Sequence, residues 1–193
     1  MKTGDVTRMI NSGSMAPGAS VSPDGRRAYA GDTFVEHPSL AVIDVASGTR
    51  TQMSHAGDAT RGVGVSPDGR SVAFVTVESL PTRRTHLYVA DADGGNVRAI
   101  LTTDKQDEVP VFGGGMRWSP DSRFIYFVRG TGSLWRIAAS GGTPVLVGQL
   151  GNIRVRTIDV ASDGRQLIFG TDSGFTVEIW ALENVLPAPK ANR

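Results

Sequence analysis

An all-β fold, a β-propeller of four-stranded antiparallel blades with four blades in the chain, is predicted by three observations. A six-residue string recurs four times, as VSPDGR, VSPDGR, WSPDSR and VASDGR, with aspartates at Asp24, Asp68, Asp121 and Asp163. Each copy is followed in register by an apolar segment, and in three of the four units a later segment leads into a Gly-containing turn. The 24 glycines and 10 prolines are spread through all 193 residues, which suits many short strands joined by turns better than helices.

The aspartates are 44, 53 and 42 residues apart, enough for four short strands per unit. A first strand precedes each anchor: GASVS, RGVGVS, GGMRWS and TIDVAS. The anchor itself reads as a turn, because Pro fixes φ, Asp caps the backbone two residues on, and Gly accepts a positive φ. Asp24, Asp68, Asp121 and Asp163 are therefore structural turn residues in this reading, since a reactive carboxylate has no reason to return at blade spacing. The second strands, RRAYAGD, RSVAFVTV, RFIYFVRG and RQLIFGT, include the apolar runs Val72-Ala73-Phe74, Ile125-Tyr126-Phe127 and Leu167-Ile168-Phe169. A half-solvated strand alternates, so unbroken runs predict cover on both faces. Third strands begin at Leu40, Leu87, Leu134 and Ile179, and three of them run into the turns ASG, ADGG and ASGG. Fourth strands follow as TRTQM, NVRAIL and TPVLV.

The last unit has no fourth strand, because ENVLPAPKANR lacks the Gly turn and meets Pro187 and Pro189. The N-terminus has the opposite surplus: GDVTRMINSG, 4–13, parallels GTRTQMSHAG, 48–57. A strand at 4–11 is therefore expected to complete the last blade, which would hide its exposed edge. The domain reading is one propeller domain over 1–187, with blade 1 at 17–54, blade 2 at 61–102, blade 3 at 114–148 and blade 4 at 153–186. Residues 188–193 are expected to form a disordered tail.

These units resemble the blades of WD-repeat-like β-propellers of the TolB type, whose pattern WSPDG…LYV.D.DGG is matched most closely over Arg61–Leu101 and Met116–Val147. The same repeat builds the propeller half of prolyl-oligopeptidase-type peptidases, so the resemblance implies a blade and not an activity. It also implies rings larger than four blades. The expected closure is a homodimer in which two chains complete one eight-bladed ring; a four-bladed monomer and a piece of a longer chain are the other two routes.

Composition removes several classes of chemistry. Lys and Arg number 20 against 19 Asp and Glu, scattered singly for a net charge of +1, so no basic stripe points to nucleic acid. No apolar run approaches the roughly 18 residues of a spanning helix, so no membrane partner is expected. With no cysteine, disulfides, thiolate catalysis and Cys-based zinc sites are excluded. MKTGDVTRMI has no signal-peptide apolar run; a cytoplasmic location is expected for the chain as it stands, and a periplasmic one if it is a piece of a longer TolB-type protein. DADGG, Asp91–Gly95, begins like a calcium loop but lacks the later ligands. Nucleotide-cradling glycine motifs and a GxSxG elbow are absent. His37, His55 and His86 have no metal-binding spacing. No catalytic, metal or cofactor-binding residue is assigned, and no cofactor is expected. Trp118, Trp135 and Trp180 fall at strand positions and read as packing between sheets.

Binding is expected on the loop face around the channel, where strand four joins the next strand one and strand two joins strand three. The candidate partner-binding residues there are Arg61, Arg83, Arg84, Asp107, Glu108, Phe112, Arg154 and Arg156. Phe112 with Val111 makes an apolar contact point near two acids, and the arginines suit an anionic peptide or a carboxylate. The function expected is a non-enzymatic interaction platform for a protein or peptide partner. Two alternatives are a channel-mouth carbohydrate lyase or hydrolase on the TolB-like scaffold, and the sensor half of a larger signalling protein.

Overall fold

The computed structural model describes residues 19–32, 39–53, 59–78, 81–104, 115–173 and 176–183. They form fifteen strands in four antiparallel sheets, each sheet made of strands consecutive in the chain. The first blade is β1 (Ala19–Val21), β2 (Arg27–Asp32), β3 (Ser39–Asp44) and β4 (Arg50–Met53). The second is β5 (Ala59–Val65), β6 (Ser71–Val77), β7 (Thr85–Asp91) and β8 (Arg98–Thr103). The third is β9 (Met116–Trp118), β10 (Phe124–Arg129), β11 (Ser133–Ala138) and β12 (Val145–Gln149). The fourth has three strands among the described residues, β13 (Val155–Val160), β14 (Gln166–Ser173) and β15 (Thr176–Glu183). The strand expected at 4–11 lies outside the described residues.

The turn between the first two strands of each blade has one design. Ser22 Oγ donates to Asp24 Oδ1 at 2.6 Å, that oxygen also accepts the Arg26 N–H at 3.0 Å, and Ser22 Oγ accepts the Arg27 N–H at 2.9 Å. Ser66 with Asp68, and Ser119 with Asp121, repeat this pattern within 0.1 Å. In the fourth turn Ala161 replaces the serine, and only the bond from Arg165 N–H to Asp163, 2.9 Å, remains. Gly25, Gly69 and Gly164 hold the next position at φ near +70°. In the third turn Ser122 adopts φ +60°, a region that costs a non-glycine residue free energy. Its hydroxyl accepts the Asp68 N–H of the neighbouring turn at 3.1 Å, an inter-blade bond that glycine could not make.

Blades stack face to face. Tyr29, Leu40, Val42 and Met53 of the first blade pack with Val63, Phe74 and Tyr88 of the second. The second blade's other face brings Ala73, Val75, Leu87 and Val89 against Trp118, Ile125 and Phe127 of the third. Tyr126, Val128 and Leu134 of the third then meet Ile158, Leu167 and Phe169 of the fourth. Hence β6 is buried continuously from Val72 to Thr76, and β10 from Ile125 to Val128. Polar ties cross these seams: Tyr29 Oη donates to Ala92 O at 2.8 Å, and Arg98 Nη2 to Ala139 O at 3.0 Å. The approach is close enough that a Cβ on Gly31 would lie 2.7 Å from Thr60 O, so the first two blades require glycine there.

The outer faces of the end blades differ. On the fourth blade, Ile168 and Ile179 lie on the face away from the third blade and are 42% and 79% exposed. On the first blade, Ala41 and Ile43 face away from the second blade and are buried.

Candidate functional site

The innermost strands β1, β5, β9 and β13 converge on a cavity of about 500 Å3. Its walls come from the ends of those strands next to the aspartate turns, with Pro67, Pro120 and Ser162 contributed by the turns. The residue four places before each anchor aspartate lines it in every blade: Ser20, Gly64, Arg117 and Asp159. This column places two neutral small residues on blades one and two, a cation on blade three and an anion on blade four.

The lining is held by bonds between adjacent inner strands. Ser20 Oγ accepts the Val65 N–H at 3.2 Å, and Trp118 Nε1 donates to Gly64 O at 2.9 Å. The second bond fixes the indole while leaving the ring in the cavity wall. A Cβ on Gly64 would meet Trp118 at an ordinary 3.6 Å, so a side chain there is sterically admissible. Arg117 Nε approaches Asp159 Oδ1 at 3.5 Å while its Nη1 donates to Met116 O at 3.0 Å. Both charges reach water, with side chains 40% and 75% exposed.

The loop-face residues are distributed differently from expectation. Arg61 and Arg156 lie in inner strands, β5 and β13, and not in loops. These strands continue past the positions where the sequence suggested a loop, each with a register shift, between Arg61 and Val63 and between Val155 and Thr157. Arg83 is exposed at φ +47° in the β6–β7 loop. Arg84 is taken by Asp104, Nε to Oδ1 2.9 Å, and Arg154 is exposed before β13. Asp107, Glu108 and Phe112 lie outside the described residues, as do His37 and His55. His86, on β7, is buried between Glu78 Oε1 and Thr102 Oγ1, each 2.9 Å from a ring nitrogen. The hydrogen bond from Thr82, followed by that from His86, lowers the Glu78 carboxyl below its ordinary value. DADGG is a hairpin turn in which Asp93 Oδ1 accepts the Gly95 N–H. Among the described residues no three His, Cys, Asp or Glu side chains gather as a metal site.

No protein-family model matches the chain, and no curated protein matches it by sequence. Solved structures do. A protein from Agrobacterium tumefaciens assigned to TolB superposes with a TM-score of 0.67 at 18% identity, over 86% of this chain and 61% of that one. The fold is that of the TolB-type β-propellers. TolB from Acinetobacter baumannii matches at TM-score 0.67 and 17% identity, over 91% of this chain and 43% of that one. An oligogalacturonate lyase in complex with manganese matches at TM-score 0.63 and 14% identity, over 84% and 49%. At these identities the TolB-type likeness is one of fold, and the chain spans about half of each neighbour's length, from 43% to 61%.

Proposed function

We propose that this TolB-type propeller is a non-enzymatic interaction platform that receives a protein or peptide segment in the cavity between its inner strands. The observation that carries this is the lining: a fixed indole, a valine wall and one Arg–Asp pair around about 500 Å3, a volume in the range of ligand sites. The cavity lies at the turn end of the inner strands, opposite the loop face suggested by sequence, and its lining supports a seat at that end.

A peptide array probed with the wild type and with Gly64→Leu tests it. Its Cβ would meet Trp118 and Met116, both in the cavity wall, at ordinary contact distance, and the remaining atoms are expected to take up cavity space. Sequences captured by the wild type are expected to be lost by Gly64→Leu at unchanged melting temperature. Equal capture by both proteins would overturn the seat, and turnover of a polysaccharide or peptide abolished by the same substitution would overturn the non-enzymatic reading.

The proposal extends to assembly, as two chains sharing one eight-bladed ring. The exposed Ile168 and Ile179 face supports it; the buried state of Ala41 and Ile43 sets the condition that the first blade's outer face must open to seat it. Light scattering is expected to give twice the 20.4 kDa chain mass, and a stable mass of one chain would remove the dimer.

A further inference from the structure

We propose that the cavity recognises a zwitterionic α-amino acid group bearing an apolar side chain, with Arg117 taking the carboxylate and Asp159 the ammonium. This rests on the cavity being a binding seat and goes beyond the peptide reading to a second ligand class, since only a free amino acid carries both charges on one residue. A guanidinium carries five N–H donors in a fixed fork. In Arg117 one Nη1 donor is used by Met116 O and the Nε donor points toward Asp159. Three donors on the Nη edge have no partner among the described residues, and that edge can hold a carboxylate bidentately.

The ion pair itself is loose. Its 3.5 Å separation exceeds the 2.7–3.2 Å of a formed N–H···O bond. Asp159 Oδ1 already accepts the Val160 N–H at 2.9 Å, while Oδ2 has no partner among the described residues. The cavity thus offers one unfilled cationic edge and one unfilled anionic oxygen side by side, with no net charge. A simple anion would meet the Asp159 carboxylate and a simple cation the Arg117 guanidinium, each repelled by one member of the pair. A ligand carrying both charges a few ångströms apart satisfies both members, and an α-amino acid has that spacing. Its side chain would lie along Val63, Val160 and the Trp118 ring, which line the same cavity.

The test is calorimetric titration of the full chain with free leucine, phenylalanine and tryptophan, each also N-acetylated and, separately, as the carboxamide. The free amino acids are expected to bind, with at least a tenfold loss on blocking either end. Arg117→Gln should abolish discrimination against the carboxamide and Asp159→Asn discrimination against the N-acetyl form, each leaving the other discrimination in place. Equal binding of free and blocked forms would overturn the proposal, as would no heat from any amino acid at millimolar concentration. A lower melting temperature for both variants without any ligand heat would mark the pair as an inter-blade tie only. If peptide capture is still blocked by Gly64→Leu while no amino acid binds, the zwitterion assignment fails alone; if neither occurs, the cavity as a seat fails with it.

Discussion

The recurring serine and aspartate show how a two-residue contact becomes a structural unit. In the first two turns the serine hydroxyl, followed by backbone N–H groups, holds the Asp24 and Asp68 carboxyls below their ordinary value. A carboxyl whose folded pKa is depressed contributes stability that is fully present above its unfolded pKa, about 3.9, and lost as pH falls through the lower folded value. Loss of the hydroxyl bond in Ser66→Ala should cost about 0.5–1.5 kcal/mol at neutral pH, and the difference from wild type in urea unfolding should shrink as pH falls below the ordinary carboxylate range. The fourth turn provides the reciprocal experiment. Ala161 stands where the other turns have serine, so Ala161→Ser should add the missing hydroxyl bond to Asp163 and stabilise by about 0.5–1.5 kcal/mol. A raised melting temperature checks it; a lowered one would mean that the alanine is kept for packing.

At the scale of the strand, the inner element of each blade has two tasks: closing the sheet and bonding to its neighbour around the channel. β9 is only three residues long, yet Trp118 reaches across to Gly64 O and Arg117 toward Asp159. Trp118→Phe keeps an aromatic ring but leaves the Gly64 carbonyl without its indole donor, and should cost about 1–3 kcal/mol, read as a shift in urea midpoint. Strand positions were legible in the sequence because each unit repeats the same order around a fixed aspartate, and apolar runs such as Val72–Val75 announce burial on both faces. The cavity was not. Ser20, Gly64, Arg117 and Asp159 occupy one column of the repeat, but their convergence depends on four strands spread over 140 residues, from Ser20 to Asp159. The column's one visible signal is that its residue changes from unit to unit while the serine two places on recurs in three. The Arg84–Asp104 pair was illegible for a related reason: Asp104 lies twenty residues on, across a hairpin, and local sequence showed only an exposed arginine.

For the whole molecule, three seams of stacked apolar residues join the four blades in chain order, and the polar ties among the inner strands face the channel. The rigid parts are thus the blades, and the variable part is what each inner strand presents to the cavity. Swapping the column residues Ser20, Gly64, Arg117 and Asp159 changes the lining without touching the cores, which is how one blade pattern can serve different activities. Hydrogen–deuterium exchange on the intact chain, with and without a bound peptide selected from the array, tests the channel-end seat most directly. Protection at the inner strand ends, residues 19–20, 63–67, 116–120 and 159–162, is predicted, since these line the cavity. Protection at the β6–β7 loop, residues 81–84, with the inner strand ends unchanged, would contradict it and return binding to the loop face.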